Sequence, residues 1–197
     1  MNFQAVTDAD TAEVGRLLAI SFHQDPGPVW WFPDDASRTD AAEPLFTANA
    51  RLAVALGDGL LSETRDAAAL YLPPGTEITD EAVAAAALPE VLAGYGAETT
   101  GQLGRFLATL GGMHVAAMPG PHWQLFFLGV DPAVQGTGLG VALVDEVNMR
   151  ALRDGVPVYL DTLTARNVGF YERRGYQVVA ECDVPDSPVH VWGLRFN

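Results

Sequence analysis

A chain of 197 residues is long enough for one domain with a substantial core, and 49% hydrophobic against 18% charged residues make it globular rather than disordered. A net charge of −14 excludes a protein that grips nucleic acid through its phosphates, which needs a basic face. A single cysteine, Cys182, excludes an intrachain disulfide and a cysteine-based zinc site.

The acidic surface suits either the steering of a cationic substrate or solubility alone. The first residues, Met1-Asn-Phe-Gln-Ala-Val-Thr-Asp8, have neither the basic start nor the apolar run of a signal peptide. The most apolar run, around Ala82 to Leu88, is far too short to span a bilayer. The expectation is a soluble, cytoplasmic protein with no membrane partner.

In chain order, Phe3 to Val6 reads as a short strand. Glu13 to Phe22 follows as a helix, with Thr7 to Asp10 offering caps and Val14, Leu17, Leu18 and Phe22 at helical spacing. Asp25-Pro-Gly-Pro28 breaks the chain, and Val29 to Pro33 is expected to be a loop whose three aromatics either anchor it or wall a pocket. Ala41 to Leu56 reads as a helix ended by Gly57. Gly59 to Thr64 and Ala67 to Leu72 read as a hairpin around Arg65-Asp66. Thr79 to Ala87 and Leu103 to Val115 are helical stretches. The last third is the most regular: strand 123–130, a glycine turn, helix 138–153, strand 156–161, helix 165–174, and strands 176–183 and 189–196. Strands that alternate with helices imply parallel pairing, and the closing pair implies an antiparallel edge. With no internal repeat and no linker, residues 1–197 are expected to form a single domain.

The turn Gln135-Gly136-Thr137-Gly138-Leu139-Gly140 lies between a strand and a helix, an order that aims backbone N–H groups and a helix dipole at one spot and so suits a phosphate. No lysine follows the glycines, which excludes a P-loop. The dinucleotide fingerprint fits poorly. Its third glycine would fall on Val141, and the acid that should meet a ribose would be Asp161. Upstream, Gly129 interrupts an otherwise excellent strand, as at a bulge or a close backbone approach, or simply for packing.

The pattern Gln/Arg-x-x-Gly-x-Gly/Ala, met by Gln135, Gly138 and Gly140, is one of four linked places at which the chain resembles the GNAT superfamily of acyl-CoA-dependent N-acetyltransferases. The others are Leu125-Phe-Phe-Leu-Gly-Val130 with Asp131-Pro132, Pro157-Val-Tyr-Leu-Asp-Thr162, and Asn167-Val-Gly-Phe-Tyr171-Glu-Arg-Arg-Gly175-Tyr176. Residues 120–197 carry the resemblance well and residues 3–22 loosely. Within the superfamily the C-terminal part is most similar to puromycin N-acetyltransferase-like enzymes of small molecules.

The resemblance implies an α/β fold with a mixed, mostly antiparallel sheet, a splayed pair of parallel strands, and flanking helices. It implies acetyl-CoA as acyl donor and no metal. A bulge at Gly129 would splay the strands, and the backbone of Leu128, Gly129 and Val130 would pair with the pantetheine arm and polarise the thioester carbonyl. Gln135, Gly136, Thr137, Gly138, Leu139 and Gly140 would hold the pyrophosphate, the three glycines by close approach and positive φ. Asn167 would bond the cofactor arm, and Phe170 would back the site from the core. Arg174, with Arg173, would meet the outer phosphate. Tyr171 would be the general acid that protonates the departing thiolate. The general base is open among Asp25, His23, Glu98, His114, His122 and a water chain.

The expected reaction is direct attack by a primary amine of a small molecule in a ternary complex, since Cys182 lies late on a strand away from the motifs. A protein or peptide N-acetyltransferase and a non-catalytic acyl-CoA binder are the alternatives. The protein would act as a monomer or homodimer.

Overall fold

In the computed structural model, which describes residues 1–197, every strand joins one seven-stranded sheet. The strands are β1 (Phe3–Ala5), β2 (Asp58–Ser62), β3 (Ala67–Leu72), β4 (Trp123–Val130), β5 (Val158–Thr162), β6 (Tyr176–Asp183) and β7 (His190–Phe196), and their spatial order is β1-β2-β3-β4-β5-β7-β6. Every neighbouring pair is antiparallel except β4 and β5. That is the mixed, mostly antiparallel sheet the motifs imply. The parallel pair is joined over two rows only, Trp123↔Val158 and Gln124↔Tyr159, beyond which the strands part.

Helices bury their apolar stripes on both faces. On one, α1 (Thr11–Ser21), α3 (Arg38–Leu56) and α6 (Ala97–Ala117) cover a core that includes Val14, Leu18, Phe46, Leu70 and Leu103. On the other, α7 (Leu139–Asp154) and α8 (Ala165–Glu172) cover Leu143, Val144, Val147, Leu160 and Tyr171. No helix is long and apolar enough to cross a membrane.

Three of the expected helix and loop assignments need correction. Residues expected to form a loop instead form the short helix α2 (Pro26–Trp31), with extended Asp25 before it and Pro26 in its first turn, where a missing N–H costs nothing. Its aromatics are anchors: Trp31 meets Phe106 edge-on at 4.8 Å and Phe32 packs on Tyr95 at 5.1 Å. Beyond α4 (Asp80–Ala85), Ala87 takes φ +62° and starts a further helix, α5 (Leu88–Gly94), that sequence reading did not find. Finally, α6 begins six residues earlier than its apolar periodicity, because its polar first turns lie mostly in solvent.

The bulge of β4 is not at Gly129. The register slips between Leu70 and Tyr71, which pair with Phe127 and Leu125, so Phe126 is the extra residue. Gly129 pairs regularly with Ala68. Its smallness serves packing, since a Cβ there would lie 2.7 Å from Leu18 Cδ2 and 3.1 Å from Ser21 Oγ on α1. Gly129→Val is therefore expected to overpack this contact and cost about 1–3 kcal/mol, read as a lower urea midpoint at unchanged slope.

Arg38 fastens the chain between α1 and α3. It is 4% exposed, and its guanidinium donates to the carbonyls of His23, Phe32 and Pro33 and to the Asp35 carboxylate. That clamp fixes the segment carrying Asp25.

Candidate active site

The turn between β4 and α7 is built as a donor cradle. Asp131 caps a single 3₁₀ turn, its side chain accepting from Ala133 N–H at 2.8 Å. Gly136 and Gly138 then take φ +84° and +94°, a region open to glycine and strained for other residues. None of the backbone N–H groups of residues 135–141 donates to an acceptor within the protein; the ladder of α7 starts with Ala142 to Gly138. A run of free donors at the positive end of a helix is a site for a phosphate or pyrophosphate. Two members of the motif serve the turn itself. Gln135 Nε2 donates to the Val130 carbonyl at 3.2 Å, and Thr137 Oγ1 to the Val134 carbonyl at 2.8 Å. Gly140 is helical, so the expected positive φ holds at Gly136 and Gly138 but not there.

This cradle opens into a cleft of about 1060 Å³ bordered by the end of α1 and the turn after it, by Leu128 and Val130 of β4, and by the first turn of α7 and by α8. The Asp131 N–H donates to the Asp66 carbonyl, and antiparallel pairs alternate in their bonding, so Gly129 turns its backbone groups to β3 while Leu128 and Val130 turn theirs to the gap where β5 parts from β4. Leu128 and Val130 line the cleft accordingly.

On the α8 side, Thr164 caps the helix and accepts from the Asn167 N–H, while Asn167 Nδ2 donates to Thr162 Oγ1 at 3.1 Å. That bond aims Asn167 at the cleft it lines. Tyr171 is 7% exposed, packed between Phe170 and Tyr176, yet its hydroxyl has no protein partner and reaches the cleft. Burial pushes its pKa well up, so the phenol keeps its proton at neutral pH. Arg174 lies 3.7 Å over the Phe170 ring with a buried, unbonded Nε. Arg173 lines the same wall.

Of the candidate bases, the structure brings two to this cleft. His23 has both ring nitrogens engaged, with Thr39 at 2.9 Å and Asp35 at 3.2 Å. Asp25 forms no ion pair, and burial pushes its pKa up to about 7 against the opposing pull of the Gly27 N–H. Glu98 is exposed on the first turn of α6, and His114 and His122 pair with each other 2.6 Å apart; none of the three lines the cleft. Asp161, weighed in the sequence only as a ribose acid, is not among the residues that line the cleft.

Residues 95–178 match the family model described as the acetyltransferase (GNAT) domain. The chain is 39% identical over 71 residues to a mycothiol acetyltransferase of Propionibacterium freudenreichii, a match covering 34% of this chain and 22% of that relative. Among solved structures it is similar to a histone acetyltransferase HPA2 and related acetyltransferase of Corynebacterium glutamicum, with a TM-score of 0.68, 20% identity, and 98% and 94% of the two chains covered. It is also similar to the Drosophila melanogaster polyamine N-acetyltransferase that forms N-acetylagmatine, at TM-score 0.61, 17% identity and full coverage of both chains. The fold is shared along the whole chain, while sequence identity to the mycothiol enzyme is confined to a short segment.

Proposed function

We propose that this chain, which matches the GNAT acetyltransferase domain model over residues 95–178, transfers an acetyl group from acetyl-CoA to a primary amine of a small molecule. The observation that carries the reading is one cleft joining the free N–H groups of residues 135–141, the unbonded Tyr171 hydroxyl and the unpaired Asp25 carboxylate. The residues fit the donor: a pyrophosphate suits the cradle, and the open backbone of Leu128 and Val130 suits an extended pantetheine arm. Acetyl-CoA would supply an activated acetyl group as a thioester.

The chain's own groups divide the remaining work. The N–H groups of residues 135–141 hold negative charge at the cradle. Asn167 orients the arm from α8. A backbone N–H of Leu128 or Val130, turned to the gap, stabilises charge that develops on the carbonyl oxygen. Asp25 takes the proton of the acceptor ammonium, and Tyr171 Oη gives its proton to the departing sulfur. Attack is direct. Cys182 stands on β6 outside the cleft, 3.6 Å from Met113 Sδ, with burial raising its thiol pKa.

The test is release of free thiol from acetyl-CoA over a library of primary amines and peptides. Release that depends on a small amine is expected. Acetyl-CoA binding with no acceptor ever acetylated leaves a binding protein, and release with peptides alone moves the acceptor class.

A further inference from the structure

Packing on two sides sets the direction of the cleft. Ser21 of α1 stands beside Gly129, its Oγ 3.1 Å from where a Cβ on that glycine would lie, and Phe22 meets the Phe127 ring edge-on at 6.1 Å. The chain therefore moves away from the cradle, which follows Val130, as it enters the turn after α1. On the other side, Phe170 of α8 lies 3.8 Å from where a Cβ on Gly140 would stand, while Leu163, just before α8, lies 3.1 Å from that of Gly27 on α2. The far end of the cleft is thus the turn carrying His23, Gln24 and Asp25, all of which line it together with Thr39 of α3. A pyrophosphate at the cradle leaves this end to the acceptor.

Here a hydroxyl, an imidazole and a carboxylate form a chain. Thr39 Oγ1 lies 2.9 Å from His23 Nδ1, and His23 Nε2 lies 3.2 Å from Asp35 Oδ1. Arg38 and Gln24 donate to the same Asp35 oxygen at 2.7 and 3.2 Å and hold that carboxyl below its ordinary value. A carboxylate only accepts, so His23 Nε2 carries a hydrogen. In the neutral imidazole Nδ1 is then bare, and the Thr39 hydroxyl must donate to it. That is the one hydrogen bond of this hydroxyl within the protein, so both its lone pairs are left without a donor. The frame is rigid, because the buried Arg38 guanidinium holds the His23 carbonyl as well as Asp35. A hydroxyl whose proton is committed backwards accepts from an N–H and has nothing to give to a carbonyl or a carboxylate.

We propose that the Thr39 hydroxyl accepts an N–H of the acceptor amine and so turns its nitrogen towards the thioester, with His23 and Asp35 as positioning residues that orient the hydroxyl. This rests on the amine acetyltransferase reading above and gives the nitrogen a second contact beside Asp25, which takes its proton. Thiol release from acetyl-CoA is measured with the fastest small primary amine of the library described above. Thr39→Val keeps the shape of the side chain and loses the hydroxyl. It is expected to lower kcat/KM for the amine by about 10- to 100-fold, the worth of a hydrogen bond to a charged group, with KM for acetyl-CoA unchanged. Thr39→Ser is expected to restore most of that loss. The imidazole nitrogen shifts of the free protein give a second readout, with His23 assigned by its disappearance in His23→Gln. The hydrogen is expected on Nε2, and the Nδ1 signal should move in Thr39→Val as its donor is lost. A bond that merely fastened α1 to α3 would lower the melting temperature of Thr39→Val and leave the amine kinetics alone. Amine kinetics at the wild-type level in Thr39→Val, a serine variant as slow as the valine one, or a His23 hydrogen on Nδ1 overturns this proposal alone. Failure of the wild type to acetylate any amine overturns the reading beneath it as well.

Discussion

Tyr171→Phe is expected to lower turnover by about 10²- to 10³-fold, the range of a lost general acid, with acetyl-CoA affinity nearly kept. The geometry makes this a clean substitution. The ring is packed between Phe170 and Tyr176 and is 7% exposed, and phenylalanine preserves all of that packing. The hydroxyl bonds to nothing in the protein, so its removal strands no buried partner. What disappears is one proton poised at the cleft. The pKa of Tyr171 is raised by burial, which keeps the phenol protonated across the working range and makes it an acid rather than a base. Calorimetric titration with coenzyme A and steady-state thiol release separate the two effects. Turnover at the wild-type level would remove Tyr171 from the mechanism. A matching loss of affinity would make it a binding residue.

The parts of this site that sequence made legible are those whose residue type is dictated by backbone conformation. Gly136 and Gly138 occupy left-handed φ, so the turn could be read from its glycines, and Thr164 and Asn167 announce the start of α8. The strands and helices after residue 122 were legible within two residues because their apolar periods are strong and their ends are marked. Gly129 shows the limit. A glycine in a strand reports that something comes close but not what, and here it is α1 rather than a bulge. The bulge itself falls on Phe126, and its trace is the adjacent pair Phe126-Phe127, both half-buried where alternation would expose one. The prolines of residues 26–28 read as breakers because proline stops a helix from within and starts one at its first turn. The choice among the candidate bases depended on long-range packing, which put Asp25 in the cleft and kept Glu98, His114 and His122 out.

Asp25→Asn is expected to lower kcat by about 10²-fold at pH 8 and to remove the rise of activity with pH through about 7. The side chain keeps its shape, so the turn into α2 and the Arg38 clamp remain. The carboxyl pKa is raised by burial, which places the wild-type base half ionised near neutrality, where it accepts a proton from an ammonium group most effectively. Stability should move the other way from activity. Between its ordinary value of 3.8 and about 7 the folded protein holds a proton that the unfolded chain has released, so the contribution of Asp25 to stability falls as pH rises through that window. The asparagine variant has no such loss. Its melting temperature should therefore exceed that of the wild type at pH 8, and the gap should narrow towards pH 4. A variant that is more stable yet slower separates a catalytic carboxylate from a structural one, because loss of a structural group would lower both. If turnover persists and its pH profile keeps the same limb near 7, the proton leaves by another route, and Asp25 serves only to attract the cation.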